Sequence, residues 1–200
     1  MPNINQRYYK ANAQDFYDST VEVDMQTLYS QFFPLIPDGG SILDAGCGAG
    51  RDSKNFIDLG FDVEAFDASE ELAALASQLI GKNVTVDFFQ TYKNSKQFDA
   101  IWACASLLHV PLVELPNVFN SLSAMLKVDG LFYCSFKYGE EEVEHNGRLF
   151  TNLNESNFAK QIIDLPLQIE VQWITGDLRE GRESEKWLNV IMRKVYIDGN

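Results

Sequence analysis

Along the middle of the chain, short apolar runs alternate with helical patterns of apolar and polar residues. This order predicts that strands and helices follow one another. Short apolar runs typical of buried strands cover residues 41–45, 62–66, 84–89, 98–103 and 130–137. Helical patterns lie between them, at residues 51–59, 69–81 and 116–126. Because each strand is followed by a helix through a short connection, neighbouring strands should run parallel. The pattern therefore predicts an α/β fold with a doubly wound, Rossmann-like sheet.

The N-terminal part of the chain has a different pattern. Residues 4–33 have a polar, helical sequence, and Pro34 and Pro37 then end the helical pattern. We therefore predict a helical cap segment over residues 1–40 and a main domain over residues 41–200, which together form a single domain.

The C-terminal part also departs from the alternation. A polar, glutamate-rich loop follows Tyr138, and Asn154 is placed to cap a helix. Two extended runs follow, at residues 167–175 and 186–197, with no helical pattern between them. A hairpin is the simplest interpretation, so we expect the mostly parallel sheet to gain a C-terminal antiparallel strand.

The net charge of the chain narrows the classes of molecule that it is expected to bind. The chain has 29 acidic and 16 basic residues, for a net charge of −13. Such a chain repels a phosphate backbone and lacks the basic cluster that holds proteins to anionic membranes, so we expect neither nucleic acid nor membrane as a partner. The charge suits a cationic ligand. The oligomeric state stays open.

The cysteines and the first residues bear on metal binding and location. Three cysteines without a CxxC pair and two histidines are too few for a zinc framework, so we expect no metal. The first residues contain no apolar stretch of the kind found in signal peptides, and no apolar run approaches the ~18 residues that span a bilayer. We therefore expect a cytoplasmic protein with reduced thiols.

A glycine-rich loop carries the most information about function. Residues 42–52 read Ile-Leu-Asp-Ala-Gly-Cys-Gly-Ala-Gly-Arg-Asp and join the first strand to the first helix. Glycines there let a ligand touch the backbone, and the free N–H groups of the helix suit a carboxylate or phosphate. Asp67 follows Gly46 by 21 residues, where a carboxylate can accept hydrogen bonds from a ribose diol. These features predict a nucleoside-containing cofactor.

The spacing of the glycines separates two classes of cofactor. A dinucleotide fingerprint, GxGxxG, would have its third glycine at position 51, which is Arg51 here. The loop instead reads GxGxG. An NAD-dependent oxidoreductase is therefore the less favoured alternative.

Several motifs together resemble the class I S-adenosylmethionine-dependent methyltransferases. They are LDAGCGAGR, FDAS, FDAIWACASLLHV and LKVDGLFYCSFK, and they fall within residues 41–137. GCGxGRD together with SLLHV is similar to the small bacterial methyltransferases described as tellurite-resistance-related. The resemblance implies an enzyme that uses S-adenosyl-L-methionine and passes its methyl group in line to an acceptor. Because the chain is acidic and lacks the motifs of the nucleic-acid-modifying branches, we expect a small-molecule acceptor.

The resemblance also implies roles for individual residues. The loop backbone would hold the methionine end of the cofactor, Arg51 its carboxylate, and Asp67 the ribose hydroxyls. In most relatives an aspartate after the third strand meets the adenine. If that strand ran through Phe89, its alternation would place Gln90 there, with Asp87 as the alternative. The cofactor-binding residues implied in this way are Asp44, Gly46, Cys47, Gly48, Gly50, Arg51, Asp67, Ala68, Phe89, Gln90, Ala103 and Ser106.

Three residues are candidates for work on the acceptor. His109 follows the fourth strand and is either a general base or a structural histidine. Arg148 is either a clamp for an anionic acceptor or a surface charge, and Tyr17 either lines a cap over the pocket or merely packs. Methyl transfer often needs no strong base, so a cofactor-binding module without catalytic activity is a further alternative.

Overall fold

The structure is a computed structural model that describes residues 4–196. Its fold is built on one large sheet. The predicted extended residue Ile197 lies outside the described part. Nine strands are present there: β1 (Ser41–Ala45), β2 (Asp62–Asp67), β3 (Thr85–Val86), β4 (Phe98–Ala103), β5 (Leu126–Lys137), β6 (Glu142–His145), β7 (Arg148–Thr151), β8 (Leu167–Gly176) and β9 (Lys186–Lys194). The α-helices are α1 (Ile4–Thr20), α2 (Gln26–Phe32), α3 (Arg51–Asp58), α4 (Glu70–Ile80), α5 (Leu115–Ala124) and α6 (Glu155–Ile162).

Seven strands form the main sheet in the order β3-β2-β1-β4-β5-β9-β8. β1 to β5 are parallel, and β9 is antiparallel to both of its neighbours. The predicted doubly wound sheet and its C-terminal antiparallel hairpin are therefore confirmed. The chain leaves β1 in one direction for β2 and β3 and later returns to β4 on its other side. The carboxyl ends of β1 and β4 thus form the switch point where open α/β sheets bind ligands.

The two faces of the sheet bury different aromatic layers. On one face Trp102 stacks on Tyr133 with ring centres 3.9 Å apart, and Phe32 of α2 packs against both. On the other face Phe119 of α5 packs against Phe132 and Phe158. Tyr133 and Phe132 are adjacent, and their side chains point to opposite faces, as in any strand. α2 is therefore part of the core, whereas α1 lies above the carboxyl edge of the sheet. The division of the chain at residue 40 stays a prediction.

The local signals at the helix ends act as expected. The Ser69 hydroxyl accepts a hydrogen bond from the Leu72 N–H and caps α4, and Gly81 ends that helix with φ +68°. The Asn154 side chain caps α6 in the same way. Within residues 4–196, no helix combines the length and the apolar character needed to cross a membrane.

Three segments differ from the sequence prediction. The long N-terminal helix is interrupted between α1 and α2, and the third strand has two residues rather than six. The glutamate-rich segment that we expected to be a loop contains the hairpin β6–β7. Asn146 and Gly147 form its turn with φ +49° and +71°, the left-handed conformation that tight hairpin turns require.

Candidate active site

A deep cavity lies at the carboxyl ends of the central strands, beneath α1. Its walls include most of the residues that the sequence singled out, namely Gly46, Cys47, Gly48, Arg51, Asp67, Ala68, Phe89, Gln90, Ser106, His109 and Arg148. Four predicted site residues do not line it: Asp44 and Ala103 are buried, Gly50 is the N-cap of α3, and Tyr17 is half-buried elsewhere on α1.

The glycine loop forms the floor of the cavity and is held tightly. The N–H groups of Gly46 and Cys47 both donate to the Phe66 carbonyl, at 2.9 and 3.0 Å. Gly46 has φ +75°, and a Cβ there would lie 2.6 Å from the Cβ of Ser106. Only glycine fits this position. The loop and the turn after β4 are thereby brought into direct contact.

Asp67, at the end of β2, connects the glycine loop to the start of α4. Its carboxylate accepts hydrogen bonds from the Gly48 N–H at 2.8 Å and the Ser69 N–H at 2.9 Å. Burial raises the pKa of Asp67, although these backbone hydrogen bonds act in the opposite direction. An acceptor-rich group at the cavity wall is suited to the hydroxyls of a sugar.

The short third strand changes which residue follows it. Because β3 ends at Val86, which pairs with Asp67, the next residue is Asp87. The parity argument for Gln90 assumed a strand that extends to Phe89, and the chain turns before that point. Asp87 and Gln90 both line the cavity, and the Gln90 amide donates to Glu114 at 2.7 Å. Asp87 therefore follows the strand directly, while both residues border the cavity, and which of them meets the adenine stays a prediction.

Asp52 is a buried acceptor that the sequence analysis did not single out. It receives hydrogen bonds from the Arg51 guanidinium at 2.7 and 3.0 Å, the Tyr29 hydroxyl at 2.6 Å and the Trp102 indole at 2.8 Å. Burial opposes its ionisation, but the Arg51 charge and these hydrogen bonds hold the pKa of Asp52 below its ordinary value. Arg51, predicted to bind a carboxylate of the cofactor, is thus paired with a carboxylate of the chain itself.

Asp44 supports the loop from beneath the cavity. Its carboxylate accepts a hydrogen bond from the Ser53 hydroxyl at 2.6 Å. Burial and then the nearby charge of Asp52 raise the pKa of Asp44 to about 8. Through its hydrogen bond to Ser53, the Asp44 carboxyl connects β1 to the first turn of α3.

His109 uses both of its ring nitrogens in hydrogen bonds. Nδ1 lies 2.8 Å from the Leu149 carbonyl, which can only accept, so Nδ1 carries the proton. Nε2 then accepts from the Tyr9 hydroxyl, also at 2.8 Å. Burial, and to a smaller degree the charge of Arg148, lower the pKa of His109 to about 4. The geometry favours the structural interpretation of His109 over a free general base.

The Tyr9–His109 pair also fixes α1 over the cavity. The Asn5 side chain donates to the His109 carbonyl at 3.2 Å and accepts from the Leu149 N–H at 2.8 Å. Phe16 lies over the glycine loop, near the position of a Cβ on Gly48. α1 is therefore attached to the core by polar contacts at one end and covers the loop at the other.

The buried His109 predicts a specific loss of stability in acid. Its pKa is about 4 when folded and about 6.5 when unfolded, so the unfolded state binds the proton more readily between these values. Stability should fall as the pH drops from 6.5 towards 4, by about 2–3 kcal/mol from this group. His109→Gln should flatten that slope in urea unfolding measured at several pH values. An equal slope in both proteins would contradict the prediction.

The cavity thiols are not activated. Burial raises the pKa of Cys104 to about 12 and that of Cys47 well above its ordinary value. Both thiols stay protonated at neutral pH, and the three cysteines are free. No group of three or more metal-ligating side chains occurs in the part of the chain that the structure describes.

A family model described as a methyltransferase domain matches residues 17–161. The chain belongs to this methyltransferase family. The match begins within α1 and ends within α6, so it includes the glycine loop, Asp67 and the turn that carries His109.

The curated relatives are methyltransferases of greater length. The chain is 30% identical over 116 residues to the putative methyltransferase YqeM of Bacillus subtilis, covering 52% of this chain and 47% of that protein. It is 31% identical over 108 residues to a ubiquinone biosynthesis O-methyltransferase of Xanthomonas axonopodis, covering 50% and 44%. The chain thus aligns with about half the length of the curated relatives that it matches.

Solved structures support the class I methyltransferase fold. The 1,6-didemethyltoxoflavin-N1-methyltransferase of Burkholderia thailandensis has a TM-score of 0.76 at 18% identity, over 96% of this chain and 88% of that one. A TehB-like S-adenosylmethionine-dependent methyltransferase of Corynebacterium glutamicum has a TM-score of 0.70 at 19% identity, over 95% and 98%. At these identities, the similarity shows the fold.

Proposed function

We propose that the protein transfers a methyl group from S-adenosyl-L-methionine to a small-molecule acceptor. One observation carries the proposal: the glycine loop and the Asp67 carboxylate form adjacent walls of a single cavity at the switch point of the sheet. Membership of the methyltransferase family agrees with it and weighs against an NAD-dependent oxidoreductase. The Burkholderia enzyme, whose structure contains S-adenosylhomocysteine and 1,6-didemethyltoxoflavin, is an example of this chemistry on this fold.

The residues in the cavity fit the cofactor. The backbone of Gly46, Cys47 and Gly48 lines the cavity, and the lack of a side chain at Gly46 lets the loop pack directly against Ser106. Asp67 would accept from the ribose hydroxyls, and Asp87 or Gln90 would face the adenine, with Ala68 and Phe89 at its sides. The carboxylates of Asp67 and Asp87 in the cavity lining favour a cofactor that carries positive charge.

The chain's own contribution to the reaction would be orientation and exclusion of water. When bound, the sulfonium supplies a methyl group on an excellent leaving group. α1 closes the cavity from above through Tyr9 and Asn5, and the turn at Ser106 holds the loop from the side. Positioning of this kind accounts for roughly 7–11 kcal/mol of a barrier. Since both nitrogens of His109 are occupied, an acceptor that loses a proton would release it to the solvent after the methylated product leaves the cavity.

The cover and the charge favour a small acceptor. α1 lies across the cavity, and the net charge of −13 opposes a nucleic acid. The free cysteines suit a reducing compartment, and we infer that the protein acts in the cytoplasm. We also infer that residues 1–40 and 41–200 act as one domain, with α1 as the cap.

Ligand-dependent thermal shift tests the cofactor. S-adenosylhomocysteine at 100 times its Kd adds about 2.7 kcal/mol of stability, which for this size raises Tm by roughly 5–11 °C. We expect that rise with S-adenosylmethionine and S-adenosylhomocysteine and none with NAD. A rise with NAD alone would replace the proposal with the oxidoreductase, and no rise with either adenosyl ligand at millimolar concentration would refute it.

A turnover assay separates an enzyme from a binding module. We expect S-adenosylhomocysteine to form from S-adenosylmethionine at least tenfold faster with some member of a panel of small amines, phenols, thiols and carboxylates than without acceptor. Cofactor binding without acceleration by any of them would favour the non-catalytic module.

A further inference from the structure

Four basic side chains lie together on one side of the cavity. Asp67 and Asp87 lie on the side of β2 and β3, and the Arg51–Asp52 pair lies at the glycine loop. Basic side chains line the opposite side, formed by β5, β7 and the loop between β8 and β9: Lys137, Arg148, Arg179 and Arg182. The chain has only 16 basic residues, so this grouping is not explained by composition. Because the proposed cofactor would lie on the side of Asp67, we expect the acceptor to lie on the basic side.

Arg148 differs from the other basic residues of this side. Arg179 pairs with Asp177, and Lys137 and Arg182 both pair with Glu185. Within residues 4–196 Arg148 forms no ion pair, and its Nε is buried without a hydrogen-bond partner. A buried polar atom without a partner is costly and uncommon in folded proteins. Of the four basic side chains on this side, Arg148 is therefore the one without an acidic partner in the described part of the chain.

Aromatic rings hold the Arg148 guanidinium in place. It lies 4.3 Å from the centre of the Tyr8 ring and 4.9 Å from that of Phe150. The Asn146–Gly147 turn fixes the start of β7, and His109 bonds to the next residue, Leu149. The guanidinium is therefore pre-organised rather than a mobile surface charge, and little entropy would be lost when it binds a ligand.

We propose that the acceptor carries an anionic oxygen group, a carboxylate or another oxyanion, that binds Arg148. The inference rests on the proposed methyltransferase function and specifies its substrate class. Arginine binds such groups through two parallel N–H donors. The rings of Tyr9, Phe16 and Trp187 also line the cavity, so an aromatic or apolar body would fit beside the anionic end.

The test uses benzoate, sulfate and the neutral benzamide as probes, titrated calorimetrically into the full chain saturated with S-adenosylhomocysteine. We expect benzoate to bind, with a Kd at least tenfold below that of benzamide. Binding of benzoate alone points to an organic carboxylate, and binding of both to a site for oxyanions in general. Equal affinity for benzoate and benzamide, or no binding of either anion, would overturn the inference.

Variants connect the binding to Arg148. Arg148→Gln should weaken benzoate about tenfold or more, and Arg148→Lys, which keeps the charge, should lose less. Arg193→Gln is the matched control, because Arg193 pairs with Glu170 outside the cavity. It removes the same charge and should leave benzoate binding unchanged. Equal weakening in Arg148→Gln and Arg193→Gln would indicate a general field and contradict the assignment.

Binding of S-adenosylhomocysteine distinguishes failure of the proposed function from failure of the proposed acceptor class. Arg148→Gln should bind it with wild-type affinity and unfold at a similar temperature, which shows that the variant is folded. If the wild type does not bind S-adenosylhomocysteine, the proposed function fails. If it binds the cofactor product but not the anions, only the acceptor class is wrong.

Discussion

Asp67→Ala is expected to weaken binding of S-adenosylhomocysteine about a hundredfold. The carboxylate would accept two hydrogen bonds from the ribose, and bonds to a charged group contribute ~1.5–3 kcal/mol each, so at the lower end of that range their combined loss is about 3 kcal/mol. The same carboxylate holds the Gly48 N–H at 2.8 Å, so the loop also loses a support. Isothermal titration calorimetry measures the change directly.

Two variants control for charge and for the support of the loop. Asp62→Ala removes an aspartate from the other end of the same strand, where it pairs with Lys96 in an exposed position, and should leave the affinity unchanged. Asp67→Asn keeps the shape and one oxygen acceptor and should lose affinity to an intermediate extent. An Asp67→Ala protein that binds within about threefold of the wild type would remove Asp67 from the cofactor site.

The central part of the fold could be predicted because its signals are local. Each crossover helix begins or ends at a residue whose own backbone or side chain sets the boundary, as Ser69 and Gly81 do for α4. The strands β1 and β4 are buried along their whole length or nearly so. Their continuous apolar runs can therefore be recognised without assigning which side chains point to which face of the sheet. The glycine loop and Asp67 follow from that order, since the end of β1 and the end of β2 must be neighbours.

The third strand shows where such local signals fail. Phe88 and Phe89 extend the apolar run beyond Val86, so the sequence has the composition of a longer strand. In the structure they form a turn that borders the cavity, and Phe89 packs edge-on against Phe66. Apolar side chains that line a ligand cavity and apolar side chains in a strand have the same composition. The position of the strand end, on which the argument for Gln90 depended, is therefore provided only by the structure.

The sequence of the β6–β7 hairpin contains a local turn signal, but the glutamate-rich composition before it outweighed that signal in the prediction. Asn146-Gly147 is the most common sequence of a two-residue hairpin turn, and Val143 and Phe150 on either side are apolar. The run of glutamates before it favoured a solvated loop. This hairpin places Arg148 and Leu149 beside His109, so the missed turn carries much of the acceptor side of the cavity.

Asp52→Ala is expected to cost about 3–5 kcal/mol of stability, the largest loss predicted here for a single residue. The substitution leaves the Arg51 charge without its partner and two buried donors, the Tyr29 hydroxyl and the Trp102 indole, without an acceptor. For a chain of this size the loss corresponds to a fall in Tm of about 6–20 °C. Asp58→Ala, in the same helix but in an exposed pair with Lys54, should change stability by less than about 1 kcal/mol.

The partners of Asp52 explain why the sequence did not reveal it. Tyr29 and Trp102 lie 23 and 50 residues away, and only the packing of α2 against β4 brings them to α3. A double-variant cycle with Arg51→Met distinguishes the causes of the loss. If the unpaired charge dominates, Arg51→Met should recover part of the stability of Asp52→Ala, and the remaining loss belongs to the two unpaired donors. Additive losses would instead mean that Arg51 and Asp52 act independently. Asp52 would then not be what holds the Arg51 guanidinium at the cavity wall.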